Sequence, residues 1–293
     1  MKLLNRKHLS QYPPQASVHM EDSGKRFSGF FGTVASDMGL RRQNNEDNYV
    51  LGQCVNEECE KNAIVSVFVP SLRSGWNLVG IFDGMGGGEK GEQAALLTAR
   101  IFRRTAQELV RTADRMELDR IVRQAFQEAN NQILELQEQC SVFGTTGTVL
   151  CTDGDVFKIY HLGDSRAYLL RKRDLFQLSR DHTLAQMKID AGIYREKDPR
   201  AEKDKHSLTN YIGADMSAGN SDPDESKWLT IAPGDRVLLC SDGLYDMCSD
   251  VEISQVMTFA ADNRTRTTML VQRALDRGGL DNVTCLCLDF VER

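Results

Sequence analysis

The sequence predicts an α+β fold, two antiparallel sheets facing each other with helices on their outer sides, and three observations carry the prediction. Strand-like segments arrive in blocks with helical patterns segregated between them, unlike the strict alternation of a doubly wound parallel sheet. Several strands are apolar on both faces, so each needs cover on two sides. No internal repeat and no structure-poor linker divides the 293 residues, which leaves one domain over residues 29–293 behind a polar arm, residues 1–28, marked by Pro13 and Pro14.

The first block of strands is "FGTVAS", "NYVLG", "IVSVFV" and "NLVGIF". Two long helical patterns follow, and in the second Leu118, Ile121, Val122, Ala125, Phe126, Ala129 and Ile133 recur at helical spacing, an apolar stripe that should pack on a sheet. The second block is "TTGTVLCT", "VFKIYHLG", "RAYLLR" and "LFQLS", its first pair joined by a hairpin turn at Asp153 and Gly154. A charge-rich segment, residues 186–227, reads as a solvated stretch with the makings of a mobile flap. After it come "DRVLLCSDG", two helical patterns around 250–277 and a closing strand, "NVTCLCLDF".

A formal charge of −6 and a pI near 5.5 argue against a general attraction to nucleic acid. The opening "MKLLNRKHLSQYPP" lacks an apolar signal region, and no stretch approaches a membrane span, so a cytoplasmic protein is expected. The eight cysteines are spread along the chain, several in apolar runs, which points to reduced and mostly buried thiols. Cys54 and Cys59 would make half a zinc site, but no second pair or nearby histidine completes it.

Gly86, Gly88 and Gly91 spell G-x-G-x-x-G between a strand and a helix, the setting of a dinucleotide fingerprint. The next strand, however, waits until about residue 145, after two helices, and Lys90 lacks the Ser or Thr of a Walker loop, so nucleotide binding is disfavoured. A better explanation lies in the acids. Asp83 and Asp242 each end an apolar run and precede a glycine, Asp164 ends another, and Asp281 stands just before one. A single strand-end aspartate is usually a turn residue. Four of them brought side by side would repel unless cations intervene, and oxygen-only ligands suit Mg²⁺ or Mn²⁺. Gly84 lets the backbone offer a carbonyl as a further ligand. Upstream, Arg42 precedes Glu46 and Asp47, joining a phosphate-binding guanidinium to two more acids. The stretch 153–164 begins like a calcium loop but lacks its central glycine and is strongly β-forming; it reads as a hairpin.

Together "RRQNNED", "FDGMGGGEKGE", "FGTTG", "HLGDSRAYLLR", "LSRDHTLAQ", "LCSDGLYDMCSD" and "GGLDNVTCLCL" resemble, in order and separation, the motifs of the PPM/PP2C metal-dependent Ser/Thr protein phosphatases, the bacterial branch above all. The resemblance runs from about Phe31 to Phe290. It implies a four-layer α-β-β-α sandwich with the metals in a cleft at one end. By position, it implies that Asp83 bridges two metals with the Gly84 carbonyl on the second, that Asp242 and Asp281 hold the first, and that Asp47 serves the second while Glu46 holds its waters. Arg42 would grip the substrate phosphate, and Asp164 with Asp242 would form a weaker third site. The implied reaction is hydrolysis of phosphoserine and phosphothreonine in proteins, opposing a Ser/Thr protein kinase, with two or three Mn²⁺ or Mg²⁺ ions. A metal-bridging hydroxide would attack phosphorus in line, without a phosphoenzyme.

One departure stands out. Many eukaryotic members carry histidine after the Asp-Gly pair, proposed as a general acid, where this chain has Met85, so solvent held by the metals would protonate the leaving oxygen. His161 and His182 read as structural or surface residues. A rival, a pseudophosphatase that keeps the fold as a binding module, predicts missing carboxylates, and here all are present.

Overall fold

A computed structural model describes residues 26–72, 74–86, 89–137, 142–195, 198–215 and 222–293. Gly88, Cys140, most of the expected N-terminal arm and parts of the expected flap lie outside the described residues. In chain order the strands are β1 (Phe27–Asp37), β2 (Asp47–Leu51), β3 (Asn62–Pro70), β4 (Asn77–Met85), β5 (Gly144–Thr145), β6 (Gly147–Thr152) and β7 (Val156–Leu162). They continue with β8 (Arg166–Arg171), β9 (Asp174–Gln177), β10 (Asp224–Glu225), β11 (Leu229–Thr230), β12 (Arg236–Cys240) and β13 (Val283–Glu292). The helices are α1 (Glu89–Leu109), α2 (Arg115–Gln137), α3 (Leu184–Asp190), α4 (Asp242–Tyr245), α5 (Asp250–Thr258) and α6 (Asn263–Asp276).

Two antiparallel sheets result. One has the order β3-β1-β13-β12-β8-β9; the other runs β10-β7-β6-β4-β2, with β11 on β7 and β5 on β4. Strands with two apolar faces must be covered twice, and three buried clusters do so. Phe30 and Val34 of β1, Ile81 of β4, Ile159 of β7 and Leu286 of β13 meet between the sheets. On the outer face of the second sheet, Phe82, Phe102 and Phe126 join β4 to α1 and α2, with ring centroids 5.3 and 4.9 Å apart. All seven residues of the predicted α2 stripe are buried there. The outer face of the first sheet packs against α4, α5 and α6. The four layers are therefore helices, sheet, sheet, helices, as expected.

Short-range chemistry explains where the elements begin. Ser249 and Glu252 close a capping box on α5, and Asp262 accepts a bond from the Thr265 amide at 2.7 Å to start α6. Gly154, at φ +102°, turns β6 into β7, so the stretch that mimicked a calcium loop is a hairpin.

Three boundaries differ from the sequence reading. Strand β1 begins at Phe27, inside the expected arm, because Phe27 is fully buried and its amide reaches Asp155. The C-terminal end of the expected flap belongs to the second sheet: Asp224 and Glu225 pair with His161 and Tyr160 of β7 as β10. The other described residues of that segment hold most of α3 and a 3-10 turn over Pro199–Lys203, where Lys188 and Tyr194 both bond Asp204, local structure that the charge run hides.

Candidate metal centre

The strands deliver their terminal acids to one end of the sandwich. Asp47 and Asp83 are register partners on β2 and β4 of the second sheet, so their side chains leave the same face. Asp164 follows β7 by two residues. From the first sheet, Asp242 opens α4 just beyond β12, and Asp281 precedes β13, the neighbour of β12.

Two contacts lock the sheets' ends together. The Ser241 hydroxyl donates to Asp47 Oδ2 at 2.8 Å, and the Asn282 side chain accepts from the Glu46 amide at 2.9 Å. Asn282 also donates to the carbonyls of Met38 and Asn44, so it holds the loop carrying Arg42 and Glu46 against the residue next to Asp281. Asp83 is fixed through its backbone: its amide donates to the Thr146 hydroxyl, and its carbonyl accepts from the Thr146 amide and the Thr145 hydroxyl.

Glycines set the approach of α1. A Cβ on Gly84 would lie 2.3 Å from the Gly91 carbonyl oxygen and 2.6 Å from that of Glu46. One on Gly91 would lie 1.9 Å from Glu46 Oε2. These residues are small because three pieces of backbone meet beside the acids.

The electrostatics record the convergence. Asp83 is held well above the ordinary carboxylate range by desolvation, then by repulsion from Asp47, Asp242, Asp164 and Asp281. Burial pushes Asp47 up to about 7, partly offset by hydrogen bonding from Thr284 and Ser241 and reinforced by Asp281 and Asp242. Asp164 is likewise raised, first by burial and then by Asp242, and burial followed by Asp242 raises Asp281 against the pull of Arg42. Asp47 is 2% exposed, and its Oδ1 is buried without a hydrogen-bond donor. Aspartates from both sheets thus share one field, with one buried carboxylate oxygen left without a hydrogen bond.

Arg42 lies with them, its guanidinium bonding Asp281 Oδ2 at 2.6 Å and feeling Glu46 and Asp242 as well. His161 and His182 sit elsewhere, whereas His206 faces Asp242, its Nδ1 3.5 Å from Oδ2. Both ring nitrogens of buried His161 are taken, by the Thr148 hydroxyl and the Arg180 carbonyl, and those of His182 by the Gly163 amide and Asp224. Neither has a free ring nitrogen to act as an acid. Cys54 and Cys59 are free and gather no further zinc ligands among the described residues. Ser241, Asn282 and Thr146 were not singled out from the sequence. Their one signal is adjacency, Ser241 and Asn282 each being next in the chain to a strand-end aspartate.

Comparison with known proteins agrees with this geometry. The family model described as protein phosphatase 2C matches residues 31–188, more than half of the chain. The serine/threonine protein phosphatase PstP of Mycobacterium tuberculosis is 31% identical over 259 residues, covering 88% of this chain and 44% of that protein, so the chain spans under half the length of that relative. The protein phosphatase PhpP of Streptococcus pneumoniae is 30% identical over 266 residues, covering 89% of this chain and 97% of PhpP. A crystal structure of the PstP catalytic domain in complex with two manganese ions superposes with a TM-score of 0.71 at 28% identity, covering 90% of this chain and all of that one. Two facing sheets whose strand ends pool their aspartates, and relatives alike over almost the whole described fold, lead to one placement: the chain belongs to the protein phosphatase 2C family.

Proposed function

We propose that the protein hydrolyses phosphoserine and phosphothreonine in other proteins, using divalent cations held at the shared ends of the two sheets and opposing a Ser/Thr protein kinase. The observation that carries the proposal is the meeting of Asp47, Asp83, Asp164, Asp242 and Asp281 in one field, with the buried Asp47 Oδ1 lacking any donor. Water alone does not relieve such a cluster; positive charge does. An all-oxygen donor set fits Mn²⁺ or Mg²⁺, in keeping with the manganese in the PstP structure.

In this reading Asp83, the Gly84 carbonyl and Asp47, with Asp242 and Asp281 from the other sheet, would hold the ions, and Asp164 with Asp242 would offer a further, weaker position. Glu46 would orient solvent beside Asp47. When bound, such ions acidify water into a nucleophile and neutralise charge on the transferring phosphoryl group. The chain's own groups do the rest. Thr145 and Thr146 pin the Asp83 backbone, Ser241 holds Asp47 in one rotamer, and Asn282 keeps Arg42 and Glu46 at the rim. Arg42 receives the phosphate by exchanging its carboxylate contact for phosphate oxygens of the same fork geometry. Met85 donates no proton and both central histidines are engaged, so the leaving hydroxyl takes its proton from solvent.

The test is release of phosphate from a phosphothreonine peptide with Mn²⁺ and with EDTA, by the wild type and by Asp83→Asn. Turnover that needs the cation and disappears in the folded variant supports the reading. Turnover unaffected by either, or a wild type that binds the peptide without cleaving it, overturns it in favour of a binding module.

A further inference from the structure

Each sheet has two edges, and three of the four are short or covered. Strand β9 has four residues and β10 two, while β2 is buried along all of its five. Strand β3 is different. It closes the first sheet with nine residues that include no charge, and its register on β1 runs from Asn62 to Pro70 without a bulge. Natural sheets guard an open edge with charged side chains, proline, a bulge or brevity, and here only the terminal Pro70 serves. The outer face beside that edge is apolar as well. Ile64 and Phe68 are each 45% exposed and Phe31 of β1 is 51% exposed, with the Phe31 and Phe68 rings 5.1 Å apart. The Met38 amide bonds the Lys61 carbonyl and the Ser71 amide the Ser28 carbonyl, so the odd-numbered residues of β3 turn their backbone groups towards β1. By alternation Asn62, Ile64, Ser66 and Phe68 turn theirs outward, where no strand pairs with them among the described residues.

We propose that this edge docks a second copy of the chain, β3 pairing antiparallel with its own counterpart about a two-fold axis at Val65. The four outward residues are spaced evenly about that position: Ile64 faces the partner's Ser66 and Asn62 the partner's Phe68, each pair exchanging two backbone bonds. Pro70 has no N–H, its carbonyl already accepts from Asn77 at 2.9 Å, and it falls outside the paired stretch. A strand without charges meets no like charge when paired with itself, which matters in a chain of net charge −6. Arg264, which reaches the Ser66 hydroxyl at 3.4 Å from α6, is exposed and can swing into solvent. On the outer face Ile64 comes diagonal to the partner's Phe68, so the exposed apolar side chains cover one another. The contact also closes. The far edge of the same sheet is the four-residue β9, so pairing stops at two copies. Residues 62–68 and Phe31 fall well short of the roughly 20–30 residues a side of a standard complex, so the dimer is reversible, with a dissociation constant no tighter than about 1 µM. Asn62 stands at the sheet end that carries Asp281, across Asp37 from Val283, so antiparallel pairing sends the two acid clusters to opposite ends and leaves both open.

The experiment reads assembly and not turnover, so its failure is distinct from a failure of the phosphatase reading. Sedimentation velocity of the full chain is run from about 1 to 100 µM, a span that brackets the expected dissociation constant. Ile64→Lys and Ile64→Pro are run beside it, with Met116→Lys as a control on an exposed residue of α2. Circular dichroism and melting temperature confirm that each variant is folded. Proline at 64 gives up only an outward N–H and lysine only exposed apolar surface, so one variant serves if the other does not fold. The expected result is a shift from monomer to dimer with concentration in the wild type and in Met116→Lys, and its loss in both Ile64 variants. Hydrogen exchange at the Ile64, Ser66 and Phe68 amides slows as the wild type is concentrated, whereas Val65 and Val67, already bonded to β1, stay unchanged. A dimer that survives both Ile64 variants, or one whose outward amides exchange as fast as in the monomer, overturns the proposal. So does a wild type that stays monomeric throughout, including one whose outward amides are slow at every concentration, the sign of an edge covered by residues 1–25 of its own chain.

Discussion

The Ser241 hydroxyl donates to Asp47 Oδ2 at 2.8 Å and so ties a residue at the end of one sheet to a buried acid of the other. The same oxygen accepts from the Thr284 amide at 2.9 Å, which leaves the hydroxyl one orientation. Ser241→Ala removes one of the donors that Asp47 has and leaves the Thr284 amide unpaired. The expected outcome is a loss of about 1–3 kcal/mol in chemical denaturation and weaker Mn²⁺ binding by calorimetry, with the fold retained.

Arg42 has its guanidinium on Asp281 and its chain half in solvent. Arg42→Ala is expected to lower kcat/KM for a phosphopeptide by about 10²-fold, since it removes a charged donor from the phosphoryl group. Steady-state kinetics at saturating Mn²⁺ check this. A variant with wild-type kcat/KM would show that the phosphate is held elsewhere.

Gly84 and Gly91 make a contrast. A methyl at Gly84 meets backbone on two sides, so Gly84→Ala should destabilise the protein by about 1–3 kcal/mol or more, seen as a lower melting temperature. At Gly91 the tightest overlap, 1.9 Å, is with Glu46 Oε2, the end of a side chain that can swing away, while the Gly84 carbonyl carbon stands at 3.0 Å. Gly91→Ala is expected to lose less stability than Gly84→Ala and to lose phosphatase activity, because Glu46 no longer points beside Asp47.

His161 gives a pH signature. Burial, followed by repulsion from His182, lowers its pKa from 6.5 to about 3. The unfolded chain therefore takes up a proton below pH 6.5 that the folded chain refuses, and the neutral ring's contribution is complete above that pH. It is lost as pH falls from 6.5 towards 3, at up to about 1.4 kcal/mol per pH unit. Buried acids such as Asp47 titrate with the opposite sign, so the measurable quantity is a difference. Urea denaturation at pH 7, 6 and 5 should show the gap between wild type and His161→Asn narrowing as the solution is acidified.

Much of this was legible in the sequence because both the sheet and the site are written in short periods. The apolar stripe of α2, the hairpin at Asp153 and Gly154, and aspartates closing apolar runs are all local patterns, and each lands where expected. What stayed hidden is relational. Nothing near Ser241 announces that its partner is Asp47, far earlier in the chain, and nothing near His206 announces α4. The end of the charge-rich segment misled for a related reason: Asp224 and Glu225 look solvated, yet β7 needs a neighbour and Lys158 needs anions, with Glu225 Oε2 and Asp119 Oδ1 at 2.6 and 2.8 Å from its ammonium.

Because the acids are split between two sheets, any ion they hold acts as a rivet through a seam. Folding and cation content then become a single equilibrium, and each tenfold rise in free Mn²⁺ above its dissociation constant adds about 1.4 kcal/mol per bound ion. Scarcity of the ion would loosen the molecule as well as silence it, so the supply of divalent metal would set how long each copy lasts.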